Sequence, residues 1–416
     1  MNNTRSHHNE LMINTLYQSD QLPKHWLQAV SLEFDPFQWL DAATDPHLND
    51  YIVEHQAFDK LHGQSHAFVF APSGGGKTAL RVRATQYSWI GQQTNLPFPL
   101  VYLPPYLSWK HISPSIDDHL TALSAAGATQ LFLLLIQRPQ LFLEPLNDFE
   151  SLDELRRRQK RTLQILHWNF PGDLTYQLEQ LQESFDLTTI VTELEPTYRL
   201  PDDPPTTNRL HKLCQQFVSL LPVNDKLPNI NTRWFAFIDL LLDQYKFPAV
   251  HILLDGLDVA PETGRDPNLA VAGLAPILSA LSVWEEKQIF LKAFLPLRTE
   301  LVCQTQYPTL ITKNNSVPIH WDERSLRLIA ETRLETASQG AFNSLAGIAI
   351  PGFNNIETVL INAIASKLPR ELLALIRICL IECIERGGPE VRLTDADVNQ
   401  GINRYRKIKQ INEVHR

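Results

Sequence analysis

Residues 67 to 81 read AFVFAPSGGGKTALR, and this stretch restricts the fold more than any other in the chain. A chain with only 16 glycines places three of them in a row directly before a lysine. The preceding run HAFVFA, 66 to 71, has the apolar make-up of a buried strand, and TALRVRATQYSW, 78 to 89, reads as a helix. Between a strand and a helix, glycines permit positive backbone angles and a close approach that any Cβ would obstruct. Several N–H groups then face one concavity, at the positive end of the helix, which suits a polyanion.

Residues Ala71, Pro72, Ser73, Gly74, Gly75, Gly76, Lys77 and Thr78 match the Walker A pattern G-x-x-x-x-G-K-[ST], with Ala71 in place of the first glycine. The difference is one methyl group. In this pattern the loop from Ala71 to Ala79 surrounds the phosphates, Lys77 reaches the β- and γ-phosphates, and the Thr78 hydroxyl ligates Mg²⁺. A carboxylate is then expected at the end of a neighbouring buried strand, to hold the metal through water. The best run is AVHILLDGLD, 249 to 258, where an apolar strand ends in Asp255. Asp255 is therefore the expected second metal residue. No N-K-x-D or T-K-x-D guanine-reading motif follows that strand, so ATP is expected rather than GTP.

The segment hhhhDGLD at 251 to 258 resembles the Walker B element of the STAND and AAA+ branches of P-loop ATPases, NACHT-like members included. This chain has Val259 where many of those proteins carry a further acid, and Gly256 where most AAA+ enzymes carry a water-polarising glutamate. The resemblance therefore implies slow hydrolysis, with Asp258 or Glu262 orienting the water. Arg298, after the run QIFLKAFLPLRTE at 288 to 300, is similar in position to sensor 1, where an arginine contacts the γ-phosphate; a surface arginine after a strand is the plainer account. The form IHW followed by DERSLRLIAETRLETAS is similar to the start of the lid in several AAA+-like families. Arg333 on that helix is a trans finger in one reading and a salt-bridged surface residue in the other. LPRELL, at 368 to 373, resembles the sensor 2 helix of origin-recognition-like AAA+ proteins and places Arg370 facing the nucleotide. LTDADVNQGINRY, 393 to 405, opens on a Thr394–Asp397 capping box and looks like the last lid helix.

Strands at 66 to 71, 99 to 105, 249 to 254 and 288 onward, with helices between them, predict an α/β fold: a three-layer P-loop NTPase core with a parallel sheet, a helical insertion and a C-terminal helical lid domain. The expected divisions are an N-terminal extension at 1–33, the first part of the core at 34–139, a mostly helical insertion at 140–232, the second part of the core at 233–320 and the lid at 321–416. Residues 34 to 61 look like a lead-in that packs beside the adenine. A proline-rich loop at 194 to 207 breaks the insertion.

Composition narrows the function classes. The formal net charge of −9 argues against a protein dominated by nonspecific nucleic-acid affinity. Two basic clusters stand against that total: Arg156, Arg157, Arg158, Lys160 and Arg161, and then Arg404, Arg406, Lys407 and Lys409. Each is a solvated helix face in one reading and a surface for DNA or a protein partner in the other. The four cysteines, without CxxC spacing, read as core thiols. The polar start MNNTRSHHNE has no signal-peptide core, and no apolar run approaches the length of a membrane helix, so a cytoplasmic location and no membrane partner are expected.

The expected function is that of a Mg²⁺-dependent ATP-binding protein and slow ATPase, a nucleotide-dependent switch of conformation or of assembly into a homo-oligomer. One alternative is a hydrolysis-poor, nucleotide-loaded scaffold or DNA-associated regulator. Another is a P-loop kinase in which the arginines at 156 to 158 form a phosphate-gripping lid.

Overall fold

The computed structural model describes residues 22–90, 96–105, 114–184, 186–194, 205–220, 226–258, 263–264, 266–312, 315–387 and 392–414. Its contacts divide the chain into two units. The larger comprises Gln56–Pro72 and Leu80–Pro318; the smaller comprises Met1–His55, Ser73–Ala79 and Ile319–Arg416.

The larger unit is α/β, built on an all-parallel sheet of five strands: β1 (Ala67–Ala71), β2 (Phe98–Tyr102), β3 (Val250–Leu254), β4 (Ile289–Pro296) and β5 (Ser316–Pro318). Their order across the sheet is β2-β3-β4-β1-β5. Every residue of β1 to β4 is buried, as expected of parallel strands covered on both faces. The sequence reading anticipated four strands. β5 escapes it because three residues ending in proline carry no periodicity.

A second correction concerns neighbours. The strand that ends at Asp255 is not beside the strand that feeds the glycine loop; β4 lies between them, pairing Ala67 with Lys292 on one side and Leu253 with Lys292 on the other. With strands about 4.8 Å apart, β3 is about 10 Å from β1. Eight buried residues in β4 reach far enough to pair with both flanking strands along their whole length.

Helix α1 (Lys77–Ile90) follows the loop. Between β2 and β3 the described residues are mostly helical. Helix α2 (Ile116–Gln137) starts on a Ser115–Asp118 capping box, and α3 (Leu152–Asn169) on a Ser151–Glu154 box. Further on, α4 (Ile230–Asp239) runs into a π-helical turn at Leu240–Gln244 that leads to β3. Gly127 lets α2 lie directly on α4, since a Cβ there would stand 2.5 Å from the Phe237 ring. Helix α5 (Pro267–Glu286), capped by Asp266 with proline at its first position, returns the chain to β4. Both α2 and α5 are long and apolar enough to cross a membrane by length and composition, contrary to the sequence reading; alanine, glycine and serine between the leucines extend the apolar length. The apolar window of α2 is 78% buried inside the fold.

In the smaller unit α6 (Glu323–Ala337), capped by Asp322, α7 (Pro369–Arg386) and α8 (Asp395–Val414) gather around Trp26, Phe37, Leu326, Leu372, Leu375, Leu380 and Val398. The Thr394–Asp397 capping box forms as the sequence indicated. Gly401 brings α8 onto α7, where a Cβ would meet the Cys379 sulfur at 2.5 Å.

Candidate functional site

The glycine loop belongs to the smaller unit. Gly74 and Gly76 hold φ values of +77° and +94°, the conformations that motivated three consecutive glycines. Lys77 is buried at the first position of α1, followed by Thr78 and Ala79. Arg370, at the start of α7, stands against the loop: its backbone N–H donates to the Gly74 carbonyl at 3.4 Å, and its guanidinium donates to Ser73 Oγ at 3.4 Å and to the Leu40 carbonyl at 3.2 Å. Trp321, which enters the sequence only as part of IHW, donates its indole N–H to the Gly75 carbonyl at 2.9 Å. Its ring lies 3.2 Å from where a Cβ on Gly76 would stand.

The acidic residues belong to the larger unit. Asp255 leaves the end of β3 and is 3% exposed. Its backbone N–H donates to the Tyr102 carbonyl at 3.1 Å, Oδ1 accepts from the Gly256 N–H at 2.8 Å, and Oδ2 accepts from Arg81 Nε at 3.1 Å. Arg81 is itself buried and sits on α1, one turn after Lys77. Behind this pair, His119 is wedged between Tyr102 Oη at 2.7 Å and the Gly273 carbonyl at 2.8 Å. The carbonyl takes the Nε2 proton, so the tyrosine donates to Nδ1. Burial lowers the His119 pKa and keeps the ring neutral, though the bond to Gly273 opposes the shift.

Asp258 is half-buried on the turn after β3, and the Thr263 hydroxyl closes that turn by donating to the Leu257 carbonyl at 2.7 Å. A Cβ on Gly264 would stand 3.0 Å from the Asp258 carbonyl oxygen and 3.9 Å from Arg298 Nη2. The exposed Arg298, on the 3-10 turn after β4, therefore shares this corner with Asp258. Glu262 lies outside the described residues.

Magnesium usually takes one or two carboxylates together with phosphate oxygens and several waters. Among the described residues no cluster of three or more His, Cys, Asp or Glu side chains that would hold a metal by itself is found. Asp255 supplies one buried carboxylate, within the one or two that magnesium takes from a protein. Arg81 already holds Oδ2, so a metal ligated by Asp255 through water leaves the ion pair intact.

Other sequence candidates take structural roles. Arg333 is buried rather than at the surface, donating to Asp45 at 3.0 Å and to the Pro36 carbonyl at 2.6 Å, with its guanidinium 4.1 Å from the Tyr51 ring centre. It is salt-bridged, as the plainer reading held, and it is turned inward. Arg158 is also buried, donating twice to Glu150 at 2.9 and 3.0 Å, and to the carbonyls of Leu141 and Glu144. This fastens the segment 140 to 150 onto α3 and removes Arg158 from any phosphate-gripping set. Arg156, Arg157 and Lys160 remain exposed. In the second cluster, Arg404 pairs with Glu382 at 2.8 Å and Lys409 with Glu371 at 2.6 Å, leaving Arg406 and Lys407 exposed.

Sequence reasoning missed Trp321 and Arg81. One signal for Arg81 is its offset of four from Lys77, which puts both on one helix face. Comparison with protein families, curated proteins and solved structures finds no match for this chain.

Proposed function

We propose that the chain binds Mg²⁺-ATP at the glycine loop and hydrolyses it slowly, as a nucleotide-dependent switch. The observation that carries this reading is the run from β1 into α1: two glycines at positive φ followed by a buried lysine and a threonine at the helix start. Backbone N–H groups of the loop bind the phosphates, Lys77 neutralises the β- and γ-oxygens and the Thr78 hydroxyl takes the metal, to which the sequence pattern also assigns Asp255. When bound, Mg²⁺ offsets the charge that develops on the leaving phosphate. Asp258 orients the attacking water, and Arg298 and Arg370 respond to the γ-phosphate. Cytoplasm, where ATP and magnesium are abundant, is the setting that goes with this reading. The reading is that of a P-loop ATPase of the AAA+/STAND type, which the chain resembles in its sequence motifs.

A second reading, a nucleotide-loaded scaffold with negligible turnover, is favoured by Gly256 in the position of the usual glutamate and by the Arg81 guanidinium on Asp255. The kinase reading keeps Arg156 and Arg157 of its arginine cluster, since Arg158 is turned inward. DNA or protein contact through the exposed Arg156, Arg157 and Lys160 remains part of the scaffold reading.

Titration calorimetry with Mg²⁺-ATP separates these. Wild type is expected to release heat with one site per chain, and Lys77→Ala to lose most of it. Phosphate release that falls in Asp258→Ala supports the ATPase, whereas binding without any release supports the scaffold. Absence of heat in the wild type overturns both.

A further inference from the structure

The glycine loop is tied at two successive carbonyls. The Trp321 indole N–H donates to Gly75 at 2.9 Å, and the Arg370 backbone N–H donates to Gly74 at 3.4 Å. Both donors come from the segment Ile319–Arg416 that shares a unit with Ser73–Ala79. In a planar trans peptide the carbonyl of one residue and the N–H of the next point in opposite directions. Holding the Gly75 carbonyl therefore turns the Gly76 N–H away from Trp321, and holding the Gly74 carbonyl turns the Gly75 N–H away from Arg370.

Glycine is where such a restraint matters most, because a peptide flanked by two glycines flips at little steric cost. The Trp321 ring adds a second restraint. It lies 3.2 Å from the Cβ position of Gly76 and 5.2 Å, centre to centre, from His55, whose Nε2 is 3.0 Å from the His320 carbonyl. The indole is thus held from behind while its N–H points at the loop.

We propose that Trp321 is a positioning residue for phosphate binding: its indole N–H fixes the Gly75–Gly76 peptide so that successive amides of the loop present themselves together to an anion. The inference rests on the nucleotide reading above. It also supplies regulation for that site. Any displacement of Trp321 frees the peptide to rotate, so phosphate affinity depends on how the segment beginning at Ile319 is seated, and bound phosphate holds that segment in return.

The test is Trp321→Phe, which keeps an aromatic ring over Gly76 and deletes the donor. One neutral hydrogen bond corresponds to roughly a five- to tenfold effect. The dissociation constant for Mg²⁺-ATP is expected to rise by about that factor, and hydrogen exchange across 73–79 without nucleotide to quicken, while the melting temperature stays near wild type. A variant that binds ATP and exchanges like the wild type overturns the role of Trp321 and leaves the nucleotide reading standing. A wild type that binds neither ATP nor inorganic pyrophosphate overturns the nucleotide reading, and this inference with it. If Trp321→Phe fails to fold, His55→Ala, which removes the ring beside the indole and keeps the donor, is expected to weaken Mg²⁺-ATP binding in the same direction, and unchanged binding there overturns the role of Trp321.

Discussion

At Gly74 two demands meet in one residue: φ of +77° and an Arg370 Cβ only 2.9 Å from where a side chain would begin. An L-residue costs about 1–2 kcal/mol for that conformation alone, before the contact is counted. Gly74→Ala is expected to lower unfolding free energy by about 2–3 kcal/mol in urea titration. Gly63→Ala is the control, because Gly63 has φ of −67° and its nearest atom beyond the neighbours is Ser65 Oγ at 3.8 Å. That change is expected to stay within about 0.5 kcal/mol of wild type, and equal losses at both positions would contradict the account. Residues of this kind were readable in the sequence, since the glycines announce their own backbone requirement. Trp321 and Arg81 were not. Their partners lie 246 and 174 residues away, at Gly75 and Asp255; the offset of four from Lys77 places Arg81 on the helix face but names no partner for it, and Trp321 has no such local signal.

The central strands were legible because parallel strands buried on both faces are written as continuous apolar runs, and β3 and β4 each depart from that rule once. In β4 the exception is Lys292, fully buried, with Nζ donating to the carbonyls of Gly63 and Ser65 at 2.6 Å each. In β3 it is His251, whose pKa burial holds well below its ordinary value, with Lys292 and His62 adding to the shift. His66 is likewise lowered chiefly by burial, against an opposing pull from Glu285. Burial pushes the lysine down to about 7, far below its value of about 10.4 in an unfolded chain. Between those two values the unfolded chain binds more protons than the folded one, so this group makes stability rise with pH; below 7 both states are protonated and the cost of a buried charge is present in full. Lys292→Met removes that dependence. Measured by denaturant unfolding, the stability of wild type relative to Lys292→Met is expected to increase from pH 7 to pH 9. A difference that is flat or falls over that interval would show that the two carbonyls, which favour the ammonium form, outweigh desolvation.

At the scale of the whole molecule, the described residues form two hydrophobic clusters, one around the sheet and one around α6 to α8, and the glycine loop falls in the smaller unit whereas β1 falls in the larger. Sequence order alone would have assigned the loop to its strand, since the contact made by Trp321 is invisible until the chain is folded and Arg370 was placed near the nucleotide by a resemblance alone. The proposed nucleotide would stabilise whatever holds the loop in shape: at a ligand concentration a hundredfold above Kd, one site adds about 2.7 kcal/mol. A raised melting temperature with Mg²⁺-ATP, absent in Lys77→Ala, is the expected sign. Whether that stabilisation also drives assembly depends on what a neighbouring copy contributes. Arg333 is not available for that purpose, because Asp45, the Pro36 carbonyl and the Tyr51 ring already enclose it, and freeing it would take a guanidinium partner from a fully buried carboxylate. Any assembly must therefore use other groups, and Arg298, exposed at the end of β4, is one arginine that could be tested for that role. Solution mass measured with ATP, with ADP and without nucleotide decides the matter. Growth with ATP alone, lost in Arg298→Ala while ATP still binds, is the outcome expected of an assembly switch, whereas an unchanged monomer with ATP bound confines the switch to a single chain.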